Sequence, residues 1–554
     1  MSNLESNLSP RRDYPLIVEK DVRIPMRDGT FIVADIFRPD CGYEKIPVIM
    51  NIGPYQKDKL WSPPPEVEEK FSEYMNWETA NPLWWCPRGY ALLRVDSRGS
   101  GKSPGQSDPI SHQEAIDAYD CVEWVAKRPW CSGNVGTMGV SYHAVFQWRL
   151  AALNPPSLKA IIPWEGWADP FRDVVFHGGI VARFLTDWYL NNTVIHLLGK
   201  PRKHNPHAFN NNMIWNFLRN DLDSEFWRLR SGKLEDIRVP LFSAGNWGGF
   251  SMHLRGNTEG YIAAGSKQKK LRIHSGTHYG PFHSEEGRLD QLRFMDHWLK
   301  GVDTGFMEEP PVKLEIRTGG SLKPYAFRYE NEWPLARTQW TKMYLRIDRE
   351  PSSDDYAVEG RLTENLAELS SKLSYPASFP SRPGKVPRGV SFETAPMIDA
   401  TEITGPIALN LWVSSTSEDM DIFATLRNIG PDGKDVCEVG QRGAQVPCLT
   451  KGWLRASRRK LDTKRSLPYR PYHAHDGYQW LKPGEIVECQ VEIWPTSMVF
   501  QKGHRLRLDI GPMDGVGTLY FGHFHVDYSD RAENTIYSGG EKESYLLLPV
   551  IPKK

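Results

Sequence analysis

The residues best placed to do chemistry in this chain lie in the segment Asn134-Val135-Gly136-Thr137-Met138-Gly139-Val140-Ser141-Tyr142-His143-Ala144. A short apolar run ends at a glycine, presents a serine, and passes into helix-forming residues. A sharp strand-to-helix turn of this kind lifts the hydroxyl clear of the backbone, over a helix N-terminus that favours negative charge. The pattern G-x-S-x-G that describes such a turn would place glycine at His143. Ala144, one residue later, is the small residue available where strand and helix must cross closely. A serine nucleophile also needs a base, a group that orients the base, and donors for the developing oxyanion.

The elements around Ser141 indicate where those partners lie. Residues 21–38 alternate apolar and polar about Asp28-Gly29, a hairpin signal. Ile46–Asn51, Tyr90–Asp96, Leu158–Pro163, Val239–Ala244 and Leu271–His274 read as buried strands. His112–Lys127, Tyr142–Leu153 and Glu285–Lys300 read as helices between them. Strands alternating with helices imply a parallel sheet covered on both faces. Residues 166–236 interrupt the alternation with an aromatic, helix-like segment (Phe171, Phe176, Phe184, Trp188, Tyr189, Trp215, Phe217, Trp227), expected to sit over the site as a cap. After Asp303 short strand-like runs such as Val312–Arg317, Met343–Ile347, Ile407–Val413 and Leu506–Ile510 predict an antiparallel β-sandwich. The Pro/Ser-rich stretch Tyr375–Pro387 reads as a loop within it. The expected fold class is therefore α/β with a second, all-β domain. The boundaries are 15–165 and 237–305 for the two parts of the α/β domain, 166–236 for the helical cap, and 306–554 for the sandwich.

Where such a serine sits on a parallel sheet, the histidine follows the last large strand. The run Ile273-His274-Ser275-Gly276-Thr277-His278 places His278 in that loop, with His274 on the strand and His283 further along as competitors.

These features in order resemble the cocaine esterase / X-prolyl dipeptidyl-peptidase (CocE/NonD) family of serine hydrolases. The residues that carry the resemblance are the hairpin Val22–Arg38, Gly53-Pro54-Tyr55, Asp96-Ser97-Arg98-Gly99-Ser100-Gly101, Gly139-Val140-Ser141-Tyr142, His278, and Asp296-His297-Trp298-Leu299-Lys300-Gly301 ahead of a β-rich tail. It spans about residues 20–550 and implies an α/β-hydrolase domain, a helical cap and a jelly-roll domain. It also implies an oxyanion hole made of the Tyr55 hydroxyl and the Tyr142 backbone N–H. In such relatives the acid follows the strand at 239–244, but the turn here reads Gly245-Asn246-Trp247-Gly248-Gly249-Phe250, with Gly248 where the carboxylate is expected. A known relocation places the acid one strand earlier, where Pro163-Trp164-Glu165-Gly166-Trp167-Ala168-Asp169 offers Glu165 first and Asp169 second. Trp164, Trp167 and Phe171 are the candidate pocket aromatics.

Composition narrows the function classes. In 554 residues, Lys+Arg and Asp+Glu are both 68, which disfavours nucleic-acid and anionic-membrane partners. The seven cysteines are scattered without a C-x-x-C pair, a usage expected of reduced thiols in the cytoplasm. No apolar run of eighteen residues is present and the N-terminal residues lack a secretory pattern. Asp96–Ser103 ends like a Walker A loop but has aspartate where the first glycine belongs. His523, His525 and Asp527 could share a strand face, yet polar residues on an exposed face are commoner than a metal site. No metal or organic cofactor is expected. The sequence therefore reads as a hydrolase of a small-molecule ester or amide, acting through an acyl-enzyme on Ser141. An X-prolyl dipeptidyl aminopeptidase, and a non-hydrolytic tailoring enzyme or binding protein on the same fold, remain the alternatives. Homo-oligomerisation is left open.

Overall fold

The computed structural model describes residues 8–194, 211–319, 325–350, 358–377, 389–517, 521–525 and 532–553. The α/β domain begins with β1 (Leu16–Pro25) and β2 (Phe31–Pro39), an antiparallel pair closed by the expected turn at Asp28-Gly29, where Gly29 has φ 85°. There follow β3 (Ile46–Gly53), β4 (Ala91–Asp96), β5 (Cys131–Val140) and β6 (Leu158–Trp164). A two-residue ladder within the cap forms β7 (Phe176–His177) and β8 (Ile180–Val181). The sheet resumes with β9 (Leu241–Asn246), β10 (Lys269–His274), β11 (Val312–Glu315) and β12 (Phe327–Glu330). The order across the sheet is β1-β2-β4-β3-β5-β6-β9-β10-β11-β12. Every pairing from β4 to β11 is parallel.

Apolar side chains cover both faces of this sheet, which is why its strands read as continuous apolar runs. Along β3, Val48, Met50 and Ile52 face a core shared with Val122, Phe146 and Trp148, while Ile49 faces the opposite core with Met138, Ile162 and Leu299. The flanking helices are His112–Ala126, Tyr142–Ala152 and Leu254–Ala263, with Glu285–Lys300 as the closing helix. Ser284 caps that closing helix by accepting the Gly287 N–H, and Gly301 ends it in a left-handed conformation (φ 70°), the two common terminators.

One boundary differs from the sequence expectation. Val312–Arg317 was expected to open the β-sandwich; instead Val312–Glu315 is β11, parallel to β10 and reached through the closing helix. Val312 and Leu314 pack with Leu271 and Ile273. The composition changes at Asp303, but the last strand–helix–strand crossover still has to return to the sheet, so the α/β sheet runs on to Glu330 in β12.

The remaining strands close on themselves. Thr401–Ser415 pairs with Val487–Phe500, and the ladder continues through Thr450–Arg455, Asp421–Ile429, Arg505–Gly511, Val390–Thr394, Gly360–Thr363, Gln339–Ile347 and Tyr545–Ile551, which pairs back with Thr401–Ser415. Leu409, Leu411, Val413, Val491, Ile493 and Leu508 belong to its core. Closure leaves few exposed sheet edges. The Tyr375–Pro387 stretch lies mostly outside the described residues. In the cap, Trp188, Phe217 and Trp227 are buried with Tyr55 and Tyr142, whereas Trp215 is exposed. No helix among the described residues is long and apolar enough to cross a membrane.

The helix carrying Ser141 approaches the end of β6 very closely. A Cβ on Gly166 would lie 2.5 Å from the Ala144 Cβ and 3.2 Å from its backbone. Gly166→Ala should therefore overpack the junction and destabilise the protein by about 1–3 kcal/mol, seen as a lowered thermal midpoint. Adding Ala144→Gly should recover part of the loss, because the nearest clash is between the two Cβ atoms.

Candidate active site

β5 ends at Val140, and Ser141 adopts φ 56°, ψ −116°, a conformation rare for a residue with a side chain. Its N–H donates to the carbonyls of Trp164 (3.0 Å) and Glu165 (3.1 Å), and Glu165, also at positive φ (49°), donates its N–H to Ala244 at 2.6 Å. The turns after β5 and β6 are thus tied backbone to backbone. His143, at the position where glycine would be usual, turns its buried imidazole toward β3 and donates from Nδ1 to Ile52 O at 3.1 Å. Gly53 makes room for it, since a Cβ there would sit 2.6 Å from the His143 ring. Burial pushes His143 down to about 3, so the ring is neutral.

Glu165 is fully buried and its two oxygens accept four hydrogen bonds. Oε2 accepts from His278 Nδ1 (2.6 Å) and Gln441 Nε2 (2.5 Å). Oε1 accepts from His274 Nε2 (2.8 Å) and Asn246 Nδ2 (3.1 Å). Burial alone would raise its pKa, but the His278 charge and the histidine hydrogen bonds hold it well below the usual carboxylate range. Asn246 closes β9, and its Oδ1 accepts the Gly248 N–H at 2.9 Å, so an amide stands beside the turn where a carboxylate was sought. Asp169, the second candidate acid, is occupied elsewhere: it pairs with Arg172 at 2.9 Å and accepts the N–H groups of Phe171 and Arg172. His283 is also elsewhere, bonded to Glu69 at 2.8 Å.

His278 has a carboxylate at each ring nitrogen, because Nε2 faces Glu78 Oε1 at 3.3 Å. Burial opposes charge on the ring, but Glu165, then Glu78, outweigh it and lift His278 to about 9. The two carboxylates thus favour the protonated ring. A further histidine, His253, lies parallel to it (ring centroids 5.1 Å apart, 3° between planes) and parallel to Trp167 on its other side (5.7 Å, 3°). Ser141 Oγ and His253 Nε2 are hydrogen-bonded at 3.3 Å. Burial, helped by the His278 charge, holds His253 neutral, far below its ordinary value.

Tyr55 and Tyr142 border the nucleophile turn. Burial, with the Glu78 charge second, keeps the Tyr55 phenol protonated. Trp188 Nε1 donates to Tyr55 Oη at 2.9 Å, leaving the phenol proton for another acceptor. Tyr142 begins its helix, so its N–H is one of those without an intrahelical acceptor. Its side chain is fixed by Glu114 (2.7 Å) and by Trp188, stacked at 5.6 Å. The three expected pocket aromatics are all buried. Trp164 packs on His274, Phe242 and Phe282, Phe171 packs on Phe176 and Trp227, and Trp167 covers His253.

Glu165, His253 and His278 bring their donor atoms within 4.8 Å of one another, but they do not suit a metal. Parallel imidazoles direct their in-plane lone pairs along separate planes, and the 2.6 Å His278–Glu165 contact is a hydrogen bond too short for neighbouring ligands of one ion. The acidic group Asp21, Asp35 and Asp58 already holds the ammonium groups of Lys20, Lys57 and Lys102. His523 and His525 both face Asp514, at 3.0 and 3.3 Å, while Asp527 lies outside the described residues.

Three residues of this cluster escaped the sequence reading. His253 lies five residues past Gly248 in the same connection, so that connection brings an imidazole to the site. Glu78 lies in an irregular segment with no periodic signal. Gln441 comes from the β-domain, 276 residues from Glu165.

Comparison with known proteins agrees with this architecture. The model for X-Pro dipeptidyl-peptidase (S15 family) matches residues 28–280, and that for the X-Pro dipeptidyl-peptidase C-terminal non-catalytic domain matches residues 304–547. The crystal structure of a CocE/NonD family hydrolase from Staphylococcus aureus is similar at 31% identity and TM-score 0.85, over 97% of this chain and 94% of that one. Cocaine esterase from a Rhodococcus species is 24% identical over 97% of this chain and 99% of its own length. An aminopeptidase from a Thaumarchaeota archaeon shares the fold at 17% identity and TM-score 0.68, over 98% of this chain and 97% of that one. The chain belongs to the CocE/NonD family and is a serine hydrolase.

Two outcomes follow from the Glu165 cluster. Gln441→Leu removes one donor from a buried carboxylate and should lower kcat by about 10- to 100-fold and destabilise the protein by about 1–3 kcal/mol. The His278–Glu165 pair also links stability to pH. Because the folded protein raises the His278 pKa from 6.5 to about 9, its contribution is complete below the lower value and lost as pH rises through the higher one. The urea midpoint should fall from pH 7 to pH 10, and fall less in His278→Gln.

Proposed function

We propose that the protein hydrolyses an ester or amide of a small molecule through an acyl-enzyme on Ser141. The observation that carries the reading is the strained Ser141 turn, bound through its own N–H to the residue whose carboxylate holds His278. In the proposed cycle Ser141 Oγ attacks the carbonyl carbon while its proton passes to Nε2 of neutral His278. Glu165 accepts the Nδ1–H throughout and stabilises the imidazolium. The Tyr55 hydroxyl and the Tyr142 N–H donate to the oxyanion, an effect worth a few kcal/mol per donor in a dry site. Collapse expels the alcohol or amine, which takes the proton from His278, and water repeats the sequence to release the acid.

His253 touches Ser141 directly, so it is the rival base. The charges around it argue for His278. A base must become an imidazolium, and the ionised Glu165 supports that charge at 2.6 Å from His278. His253 faces the Gln441 amide at 3.4 Å and the His278 ring, which oppose a second positive charge. A donor at Gln441 Nε2 leaves His253 Nδ1 as acceptor and Nε2–H as the group facing Ser141 Oγ. In this reading His253 holds the hydroxyl in the resting site. A small ester or amide is favoured over an X-prolyl peptide because Glu165 and Glu78 both face His278, which competes with a substrate ammonium group for them. The catalytic groups, the oxyanion hole and this substrate class together form the proposal.

A fluorophosphonate probe should give one adduct, on Ser141, in wild type and none in Ser141→Ala. Labelling should fall by 10³-fold or more in His278→Ala and by much less in His253→Gln. A folded wild type that takes no label would point to a non-hydrolytic role, and the reverse order of the two histidine variants would make His253 the base.

A further inference from the structure

Glu78 has no part in the cycle just described, yet it occupies a costly position. Its backbone is at φ 60°, and its carbonyl accepts the N–H of Val140, the residue before Ser141, at 3.0 Å. Its carboxylate is buried; Oε1 faces His278 Nε2 at 3.3 Å, and Oε2 makes no hydrogen bond. A strained backbone and an under-satisfied buried acid together cost several kcal/mol in general terms, and such costs concentrate at functional sites. The nitrogen that Glu78 holds is the one a base must present to the serine. Nδ1 is already committed to Glu165, and Ser141 Oγ is hydrogen-bonded to His253 instead.

We propose that Glu78 is a positioning residue that latches His278: it holds the Nε2–H of the resting imidazolium away from Ser141, and acylation begins only when that proton leaves Nε2 and the nitrogen turns to the serine hydroxyl. The inference rests on the reading of Ser141 and His278 given above. The proton balance is simple. It passes from Nε2 to Glu78 Oε1 or to water, leaving His278 neutral with its Nδ1–H still on Glu165, and Nε2 then accepts the Ser141 proton during attack. The groups facing His278 and Glu78 are Glu165, His253, Tyr279, Gln441 and Arg442, with Tyr55 close enough to feel the Glu78 charge. Among them Glu165 and Glu78 are the carboxylates, and Glu165 remains in place when Glu78 is changed.

The test is the pH dependence of fluorophosphonate labelling in wild type and Glu78→Gln, with Ser141→Ala as the blank. The latch predicts that the wild-type rate rises with pH to a midpoint near 9. In Glu78→Gln the midpoint should move at least one unit lower, making labelling at pH 7 about ten-fold faster. A midpoint unchanged within about 0.3 unit, or slower labelling at every pH, would overturn the proposal. A second measurement needs no Glu78 variant: histidine-selective ¹⁵N NMR of the wild type, with His278 assigned by its loss in His278→Gln. The latch requires both ring nitrogens to stay protonated at pH 8, and a neutral His278 at pH 7 would refute it. If wild type fails to label at all, the Ser141 reading falls, while the NMR result still decides whether Glu78 holds the ring.

Discussion

The site depends on the burial of one carboxylate. Glu165 is out of contact with water, and an ionised carboxylate in that setting survives only when its lone pairs are satisfied and a compensating charge is near. Four donors supply this: His274 from β10, Asn246 from β9, His278 from the loop beyond β10, and Gln441 from the β-domain. Because each donor comes from a different segment, the carboxylate fixes the ends of two strands, the histidine loop and the domain interface at one point. The same residue receives the Ser141 N–H on its carbonyl, so the turn bearing the serine is referenced to the acid through the backbone.

That arrangement explains why the cluster tolerates glycine at position 248. The connection after β9 carries no carboxylate, and Asn246 and His253 enter the site from it. Asn246 is a neutral donor to Glu165, and His253 is a neutral ring between Trp167 and His278. Negative charge lies instead at the end of β6 and, through Glu78, on the far side of the imidazole. The result is one histidine between two carboxylates, with a second histidine stacked on its face.

Much of this was legible in the sequence because it is local. The strand–serine–helix turn, the glutamate directly after the next strand and the histidine after the last long strand are each set by a neighbouring element, and Glu165 does meet His278. The hairpin at Asp28-Gly29 and the closing helix Glu285–Lys300 follow from turn chemistry and capping in the same way. The partners that were not legible are those fixed only by tertiary approach. Gln441 reaches Glu165 across a domain interface, and Glu78 lies in an irregular segment whose path is set by its bond to Val140. His253 enters because the segment after Gly248 folds back over Trp167. Trp164 and Phe171, which read as pocket aromatics from their place at the cap entrance, belong to the core and cap clusters. Strand Val312–Glu315 was placed in the wrong sheet for a related reason: composition changes before the last crossover returns to the α/β sheet.

The central claim is that Ser141 forms an acyl-enzyme with His278 held by Glu165. Rapid-quench turnover of an activated aryl ester, with intact mass measured on the quenched protein, tests it most directly. An acyl-enzyme on Ser141 should give a burst of aryl alcohol close to one equivalent in wild type, an acyl mass located on the Ser141 peptide, and loss of the burst in Glu165→Gln on the same timescale. Release of product without a burst or an acyl mass, at equal rates in wild type and Glu165→Gln, would contradict it.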